Sequence, residues 1–304
     1  EKEVNKVILG KEDVIKKFLS VILAGGHILL EDIPGVGKTT LALAFSKALA
    51  LNFNRVQFTP DVVPSDITGY SIYNKANGKF EYRAGAAMCN ILLADEINRT
   101  SSKTQSALLE VMQEGNITVD GKTRKVPEPF LVVATQNPIG TAGTQMLPEA
   151  QLDRFMAQLS IGYPGKEAEM KILMDRKNED PMDKVISIVN RENLVEMKNK
   201  VKEVFVHEKM YEYITDLVRG TRENELIKMG ISPRGAISIC AMGQAWAFMH
   251  GRNYVIPQDI RDIFFDAVCH RILISPKAHA QGKSIYEILS ELVADTKIPG
   301  VTKE

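Results

Sequence analysis

The sequence predicts an α/β protein built on a parallel sheet, followed by an all-helical domain. Three features carry that expectation. Short apolar runs alternate with helical patterns up to about Pro164. A glycine-rich loop, Pro34-Gly35-Val36-Gly37-Lys38-Thr39-Thr40, joins the first of these runs to a helix. Beyond Pro164 the strand-like runs cease and helical patterns follow one another.

Taken in order, Lys11–Ala24 is expected as a helix, because Val14, Ile15, Phe18, Leu19 and Ile22 recur at helical spacing. His27–Leu30 reads as a buried strand, Lys38–Ala50 as a helix and Arg55–Thr59 as a second strand. A third strand starts at Ile91-Leu92-Leu93 and ends at Asp95-Glu96. Ser101–Glu114 is a helix with Ala107, Leu108, Val111 and Met112 on one face. Phe130–Thr135 and Ala157–Ile161 complete the strands. Apolar strands alternating with helices imply a parallel sheet covered on both faces.

Two stretches interrupt the alternation. Residues 60–83 hold Gly69, Asn77-Gly78 and the aromatics Tyr70, Tyr73, Phe80 and Tyr82, which could grip a substrate or form the small core of an insertion, the second being the expectation. Residues 115–127 place Asp120-Gly121 between β-branched runs, a strong hairpin signal. Helices are then expected at 167–176, 191–203, 209–222, 233–250, 257–271 and 284–295, with a charged, Pro181-containing linker at 178–189. The expected domains are 1–164 and 165–304.

Bulk composition narrows the function. Lys+Arg and Asp+Glu both number 38 in 304 residues, so net charge is zero. That weighs against a dominant electrostatic footprint for nucleic acid or an anionic membrane. The three cysteines, Cys89, Cys240 and Cys269, are far apart and fit small apolar roles in a reducing compartment. The longest apolar stretch, Phe18 to Leu30, is too short to span a bilayer. With no signal peptide visible, the expected location is the cytoplasm.

The chemistry begins at the glycine-rich loop. Strand, loop, Lys-Thr and helix form the layout of a phosphate-binding loop. Its glycines let backbone N–H groups turn toward phosphate oxygens, and the following helix directs its positive dipole end at the same anion. Lys38 is then expected to reach the β- and γ-phosphates of a nucleotide, and the Thr39 hydroxyl to hold Mg²⁺. The strict pattern places a glycine six residues before the lysine, where this chain has Asp32.

Ile91-Leu92-Leu93-Ala94-Asp95-Glu96 supplies the second part: a buried strand ending in two carboxylates. Asp95 would hold Mg²⁺ and Glu96 would polarise an attacking water. Val132–Thr135 leads to Gln136-Asn137-Pro138, so Asn137 falls at a strand's C-terminal end, where α/β sheets bind ligands. Asn137 could orient that water or simply build the turn before Pro138. Arg154 and Arg234 stand out by neither composition nor spacing.

These segments together resemble the AAA+ ATPases, and within them the MoxR family, over nearly the full length. Glu31–Thr39, Ile91–Arg99, Gln105–Glu114, Ala134–Pro138 and Leu147–Phe155 carry the resemblance. Ser232-Pro233-Arg234 and Gly251–Asp259 extend it into the helical domain. Asp32 at the first glycine position is normal in that family.

The resemblance implies a P-loop NTPase αβα sandwich with a parallel sheet and an all-α lid. It implies ATP and Mg²⁺ as cofactors. Pro34, Gly35, Val36, Gly37, Lys38, Thr39 and Thr40 match the first Walker motif. Asp95 and Glu96 match the second, giving Thr39 and Asp95 as metal ligands. Asn137 matches the water-positioning sensor. Arg154 matches the arginine finger that acts on a neighbouring subunit, and Arg234 the second sensor. Val7-Ile8-Leu9-Gly10 is similar to the segment lining the adenine pocket, which brings in Ile8 and Gly10. The 60–83 stretch resembles the helix-2 insert, and 115–127 the pre-sensor hairpin. Two stretches depart from the family, Gly85-Ala86-Ala87 and Ile139–Gln145, and both lie off the nucleotide motifs.

The resemblance further implies a homo-oligomeric ring, taken as a hexamer. It would act on a client protein complex, in company with a von Willebrand factor A domain partner. The alternatives are a nucleic-acid-associated ring motor, which predicts a basic stripe, and a nucleotide-gated scaffold, which has no use for Glu96. A GTPase is not supported, since Asn74-Lys75-Ala76-Asn77 ends in the wrong residue. Nor is a zinc hydrolase, since His207-Glu208-Lys209-Met210-Tyr211 lacks a second ligating histidine.

Overall fold

The computed structural model describes residues 1–136, 147–175 and 180–300. In chain order the elements are α1 (Glu12–Ala24), β1 (Ile28–Glu31), α2 (Lys38–Ala48), β2 (Phe53–Gln57), α3 (Pro64–Thr68), β3 (Tyr70–Asn74) and β4 (Lys79–Arg83). Next are β5 (Ile91–Asp95), α4 (Ser102–Glu114), β6 (Asn116–Val119), β7 (Lys122–Lys125), β8 (Leu131–Gln136), α5 (Glu149–Leu152), β9 (Ala157–Leu159) and α6 (Lys166–Asp175). The rest are α7 (Arg191–Lys202), α8 (Glu208–Glu223), β10 (Ile227–Met229), α9 (Pro233–Met249), α10 (Pro257–Val268), β11 (Leu273–Ile274), α11 (Pro276–Ala280) and α12 (Ile285–Asp295).

The chain divides into two compact units. The first comprises residues 1–16, 27–147 and 159–195, and the second 17–26, 148–158 and 196–304.

The α/β part of the chain is organised by a five-stranded sheet in the order β2-β5-β8-β1-β9. β2–β5, β5–β8 and β8–β1 all pair in parallel. Every residue of β5 is buried, as are Leu131–Thr135 of β8, which is why both read as continuous apolar runs. The register aligns Leu30 with Thr135 and Val56 with Ala94. The strands' carboxyl ends therefore bring Glu31, Asp95 and Gln136 to one edge of the sheet.

His27, just before β1, ties layers together. Its Nδ1 accepts from the Val132 N–H at 3.0 Å, so the Nε2–H donates to the Met112 carbonyl at 3.0 Å. Helix α4 starts on Ser101, whose hydroxyl accepts from the Thr104 N–H, and ends on Gly115 at φ 64.

Both interruptions are hairpins. β6 and β7 pair antiparallel across Asp120-Gly121, with left-handed φ of 51 and 72. Residues 64–83 form α3 and the β3–β4 hairpin, in which Tyr73 faces Phe80 and Tyr70 faces Arg83. The expectation that its aromatics form a small core is overturned for three of the four. Tyr70, Tyr73 and Phe80 are 51%, 55% and 74% exposed. A two-stranded ribbon has no second layer against which to bury a face. Tyr82 alone is anchored: its hydroxyl donates to the Thr68 carbonyl at 2.6 Å, and the Arg124 guanidinium lies 3.9 Å above its ring. At the base of this insert, a Cβ on Gly85 would come within 2.3 Å of the Gly69 backbone nitrogen, so the backbone crossing there needs a glycine.

The second unit is helical with one addition. β10 and β11 form a short antiparallel pair, Ile227 against Ile274 and Met229 against Leu273. At three and two residues, these strands are too short to produce a sequence period. The Gly251–Asp259 motif is a structural clasp: Asp259 is buried and binds both Arg252 Nη atoms while accepting the Ile256 N–H at 2.8 Å to start α10. His207 caps α8 through the Lys209 N–H, which accounts for that histidine without a metal.

The cysteines are free. Burial pushes the Cys89 and Cys269 thiols up to about 12, so both stay protonated and unreactive at neutral pH. No helix among the described residues is long and apolar enough to cross a membrane.

Candidate functional site

Helix α2 begins on Gly37 at φ 97 and ψ 21, and Gly35 has φ 84. These left-handed conformations turn the loop backbone over the helix N-terminus. Lys38 is buried, and its Nζ donates to the Asp32 carbonyl at 2.7 Å. Burial lowers its pKa, while the carboxylates of Asp32, Asp95, Glu96 and Glu31 act in the opposite direction. Thr39 and Thr40 follow in the first turn of α2.

Asp32 now has a physical reason. Its carboxylate accepts from the Ile161 N–H at 2.5 Å, the Gly162 N–H at 2.8 Å and the Ser160 hydroxyl at 3.1 Å. It also accepts from its neighbour Ile33 N–H at 3.0 Å. A glycine there would leave the segment after β9 without this anchor. Asp32→Ala is expected to lower the unfolding free energy by about 2 kcal/mol, because buried N–H donors lose their acceptor. Urea denaturation with the slope unchanged would measure it.

The anchored segment forms a wall of a pocket of about 340 Å³. Ile8, Val36, Thr40, Gly162 and Tyr163 are among its lining residues. The mouth is thus shaped by the loop that follows the first turn of the chain, the phosphate loop and the 161–164 segment. Gly10 does not line it; at φ 68 it turns the chain, with room for a Cβ ending 3.4 Å from Ala168.

The acidic pair stands at the end of β5. Asp95 accepts from the Thr135 hydroxyl at 2.6 Å and pairs with Arg55 at 2.7 Å. Glu96 sits at φ 56 and ψ 48, an uncommon left-handed conformation for a non-glycine. Its N–H donates to Thr135 Oγ1 at 2.9 Å, and its carboxylate pairs with Arg99 at 2.7 Å. Thr135 thus holds the Asp95 carboxylate and the Glu96 backbone from the neighbouring strand. Gln136 donates to Glu31 at 2.8 Å one position further on.

Thr135, Arg55 and Arg99 were not expected as site residues. Thr135 left one signal, a polar residue ending a buried apolar run. Arg55 left none beyond its charge, and Arg99 only its place at the end of the Ile91–Arg99 stretch.

The donor set fits a metal-bound nucleotide. The buried Lys38 ammonium stands amid four carboxylates, of which Asp95 is paired with Arg55 and Glu96 with Arg99. Thr39 supplies a hydroxyl and Asp95 a carboxylate, the hard oxygen donors Mg²⁺ takes. The glycine loop leaves backbone N–H groups for phosphate oxygens.

The remaining expected residues are distributed as follows. Asn137 and Ile139–Gln145 lie outside the described residues. Arg154 and Arg234 both belong to the second unit. Arg154 follows α5, half-buried, and Arg234 is exposed at the second position of α9. The α9 N-cap is Ser232, whose hydroxyl accepts the Gly235 N–H.

Comparison with known proteins agrees with this arrangement. Residues 27–157 match the family model described as ATPases associated with various cellular activities, and residues 219–292 match the AAA lid domain. The YeaC protein of Bacillus subtilis is 45% identical over 97% of this chain and 92% of its own. Chaperone MoxR1 of Mycobacterium tuberculosis is 38% identical, covering 98% of this chain and 81% of its own. A crystal structure from Cytophaga hutchinsonii, assigned as an ATPase, superposes with a TM-score of 0.91 at 39% identity, covering 98% of this chain and 93% of that one. The similarity thus runs along nearly the whole length, through both the α/β region and the lid, and the chain belongs to the MoxR-type AAA+ ATPases.

Proposed function

We propose that this ATPase is Mg²⁺-dependent and works as a hexameric ring that remodels or matures client protein complexes. The observation that carries the hydrolytic reading is the acidic pair at one strand end, where the Thr135 hydroxyl donates to the Asp95 carboxylate and accepts the Glu96 backbone N–H. Asp95 and Thr39 hold the Mg²⁺, which neutralises phosphate charge when bound. Lys38 binds the β- and γ-phosphates, with Pro34–Gly37 and Thr40 completing the cradle. Ile8 packs on the base, and Gly10 shapes the turn that places it.

Glu96 accepts a proton from the attacking water, with Asn137 orienting that water. Arg154 acts on nucleotide bound by the neighbouring subunit, and Arg234 responds to nucleotide as the second sensor. A von Willebrand factor A domain protein is the partner we expect, in the cytoplasm. The name of the Mycobacterium relative, a chaperone, supports the remodelling role. Zero net charge does not favour a nucleic-acid motor.

ATPase rate per subunit, measured against protein concentration, tests the ring. For the wild type it should rise and saturate. Arg154→Ala should lower the plateau by about 10³-fold, within the range for arginine fingers. Mixing Arg154→Ala with Glu96→Gln, each inactive alone, should restore measurable turnover. A rate flat with concentration and indifferent to Arg154→Ala would sink the trans-acting assignment.

A further inference from the structure

The backbone that carries Arg154 is gripped on both sides by one buried side chain, Arg271. This residue is 4% exposed. Its Nε donates to Asp153 Oδ1 at 2.9 Å, and its Nη2 donates to the Asp153 carbonyl at 3.2 Å and the Phe155 carbonyl at 2.6 Å. Nη1 donates to the Met156 carbonyl at 3.2 Å and also to Ala267. Nη2 further reaches the Ser238 hydroxyl of α9 at 3.2 Å. Carbonyls before and after Arg154 are therefore fixed to a single planar group.

His270 adds a second hold, donating from Nε2 to the Phe155 carbonyl at 3.0 Å. Burial, with the Arg271 charge alongside, pushes His270 down to about 3. It is neutral at physiological pH, so this hold does not titrate there.

The same Asp153 carboxylate reaches the start of α9. The Ser232 hydroxyl donates to both its oxygens at 2.9 Å while accepting the Gly235 N–H at 3.1 Å. Ser232 caps the helix whose second residue is Arg234. That first turn also lies against the clamp: a Cβ on Gly235 would meet Arg271 Cδ at 3.1 Å and Ile231 Cγ2 at 2.5 Å. All of these residues belong to the same compact unit.

We propose that Arg271 and Asp153 are positioning residues for hydrolysis: they set the Arg154 finger and link it to the Arg234-bearing end of α9. A shift of that helix end then moves the finger presented to the next subunit. The inference rests on the trans-acting reading of Arg154 given above. A planar guanidinium holding several acceptors is not replaceable by lysine, which offers one point charge without the fork. A displacement of about 1 Å in a positioned group can cost roughly 10²-fold in rate.

A donor-specific mixing assay tests this with full-length protein and ATP. Arg154→Ala subunits, which keep an intact nucleotide pocket, are mixed with Glu96→Gln subunits, which keep an intact finger. The turnover restored is the reference. Donors carrying Glu96→Gln with Arg271→Lys should restore at least about tenfold less, as should Glu96→Gln with Asp153→Asn. Each donor must bind ATP as the Glu96→Gln donor does. This separates finger placement from general unfolding. In the otherwise wild-type chain, Arg271→Lys should lower kcat with KM for ATP within about twofold.

Restoration by Glu96→Gln that persists undiminished with both added substitutions overturns the clamp alone. If Arg271→Lys melts out, the Asp153→Asn donor decides on the same criterion. Failure of the unaltered Glu96→Gln donor to restore any turnover overturns the trans-finger reading, and the clamp with it.

Discussion

Glu96→Gln is expected to lower kcat for ATP by about 10³-fold while ATP still binds, because a positioned general base contributes roughly 10²–10⁴-fold. The structure makes this a clean substitution. Glutamine has the same shape, and the left-handed backbone at φ 56 is no harder for it to adopt than for glutamate. The N–H bond to Thr135 Oγ1 involves backbone only and persists. The amide oxygen can still accept from Arg99 as the carboxylate does at 2.7 Å. What disappears is the capacity to take a proton from water. Steady-state turnover and binding of a fluorescent ATP analogue, measured on the same preparation, separate the two effects. Turnover within about tenfold of wild type would remove Glu96 from the base role and favour a scaffold that binds nucleotide without needing hydrolysis.

The elements that position this site were legible because each is local. Apolar runs gave the sheet, since β5 and most of β8 are buried and are apolar up to Asp95 and Thr135 at their carboxyl ends. The glycine pattern gave the phosphate loop, since only particular residues adopt φ of 84 and 97 without strain. What could not be read is what long-range contacts decide. Asp32 looked like a defect in a motif until the N–H groups of Ile161 and Gly162 appeared on its carboxylate, 129 and 130 positions along the chain. Arg271 resembled any helix-end arginine, and its partner Asp153 lies 118 positions away. The aromatics of the β3–β4 hairpin misled for the converse reason. Tyr73, Phe80 and Tyr82 share one face of the ribbon, but only Tyr82 lies where the rest of the fold, through Thr68 and Arg124, reaches it.

Lys38→Met is expected to weaken ATP binding by about 100-fold without destabilising the nucleotide-free protein, since charge-assisted bonds to phosphate contribute roughly 1.5–3 kcal/mol apiece. The second half of that expectation follows from where the ammonium sits. Burial lowers the Lys38 pKa despite the surrounding carboxylates, so folding disfavours its charged form. The unfolded chain holds that proton more tightly. Stability therefore rises with pH through the interval between the folded pKa and the ordinary lysine value. At neutral pH the desolvation cost is fully present, and a neutral side chain removes it. That gain offsets the donor lost by the Asp32 carbonyl. The phosphates of ATP, not the resting fold, are what the charge serves. At a nucleotide concentration about 100 times the wild-type Kd, binding should stabilise the wild type by about 2.7 kcal/mol and the variant by roughly 0.4 kcal/mol. For a chain of this size that is a melting shift on the order of 5 °C against about 1 °C. The decisive comparison is the melting temperature of both proteins with and without Mg-ATP. A variant that melts several degrees below wild type without nucleotide, yet shifts as far on adding it, would mean that Lys38 is structural and that phosphate is bound elsewhere.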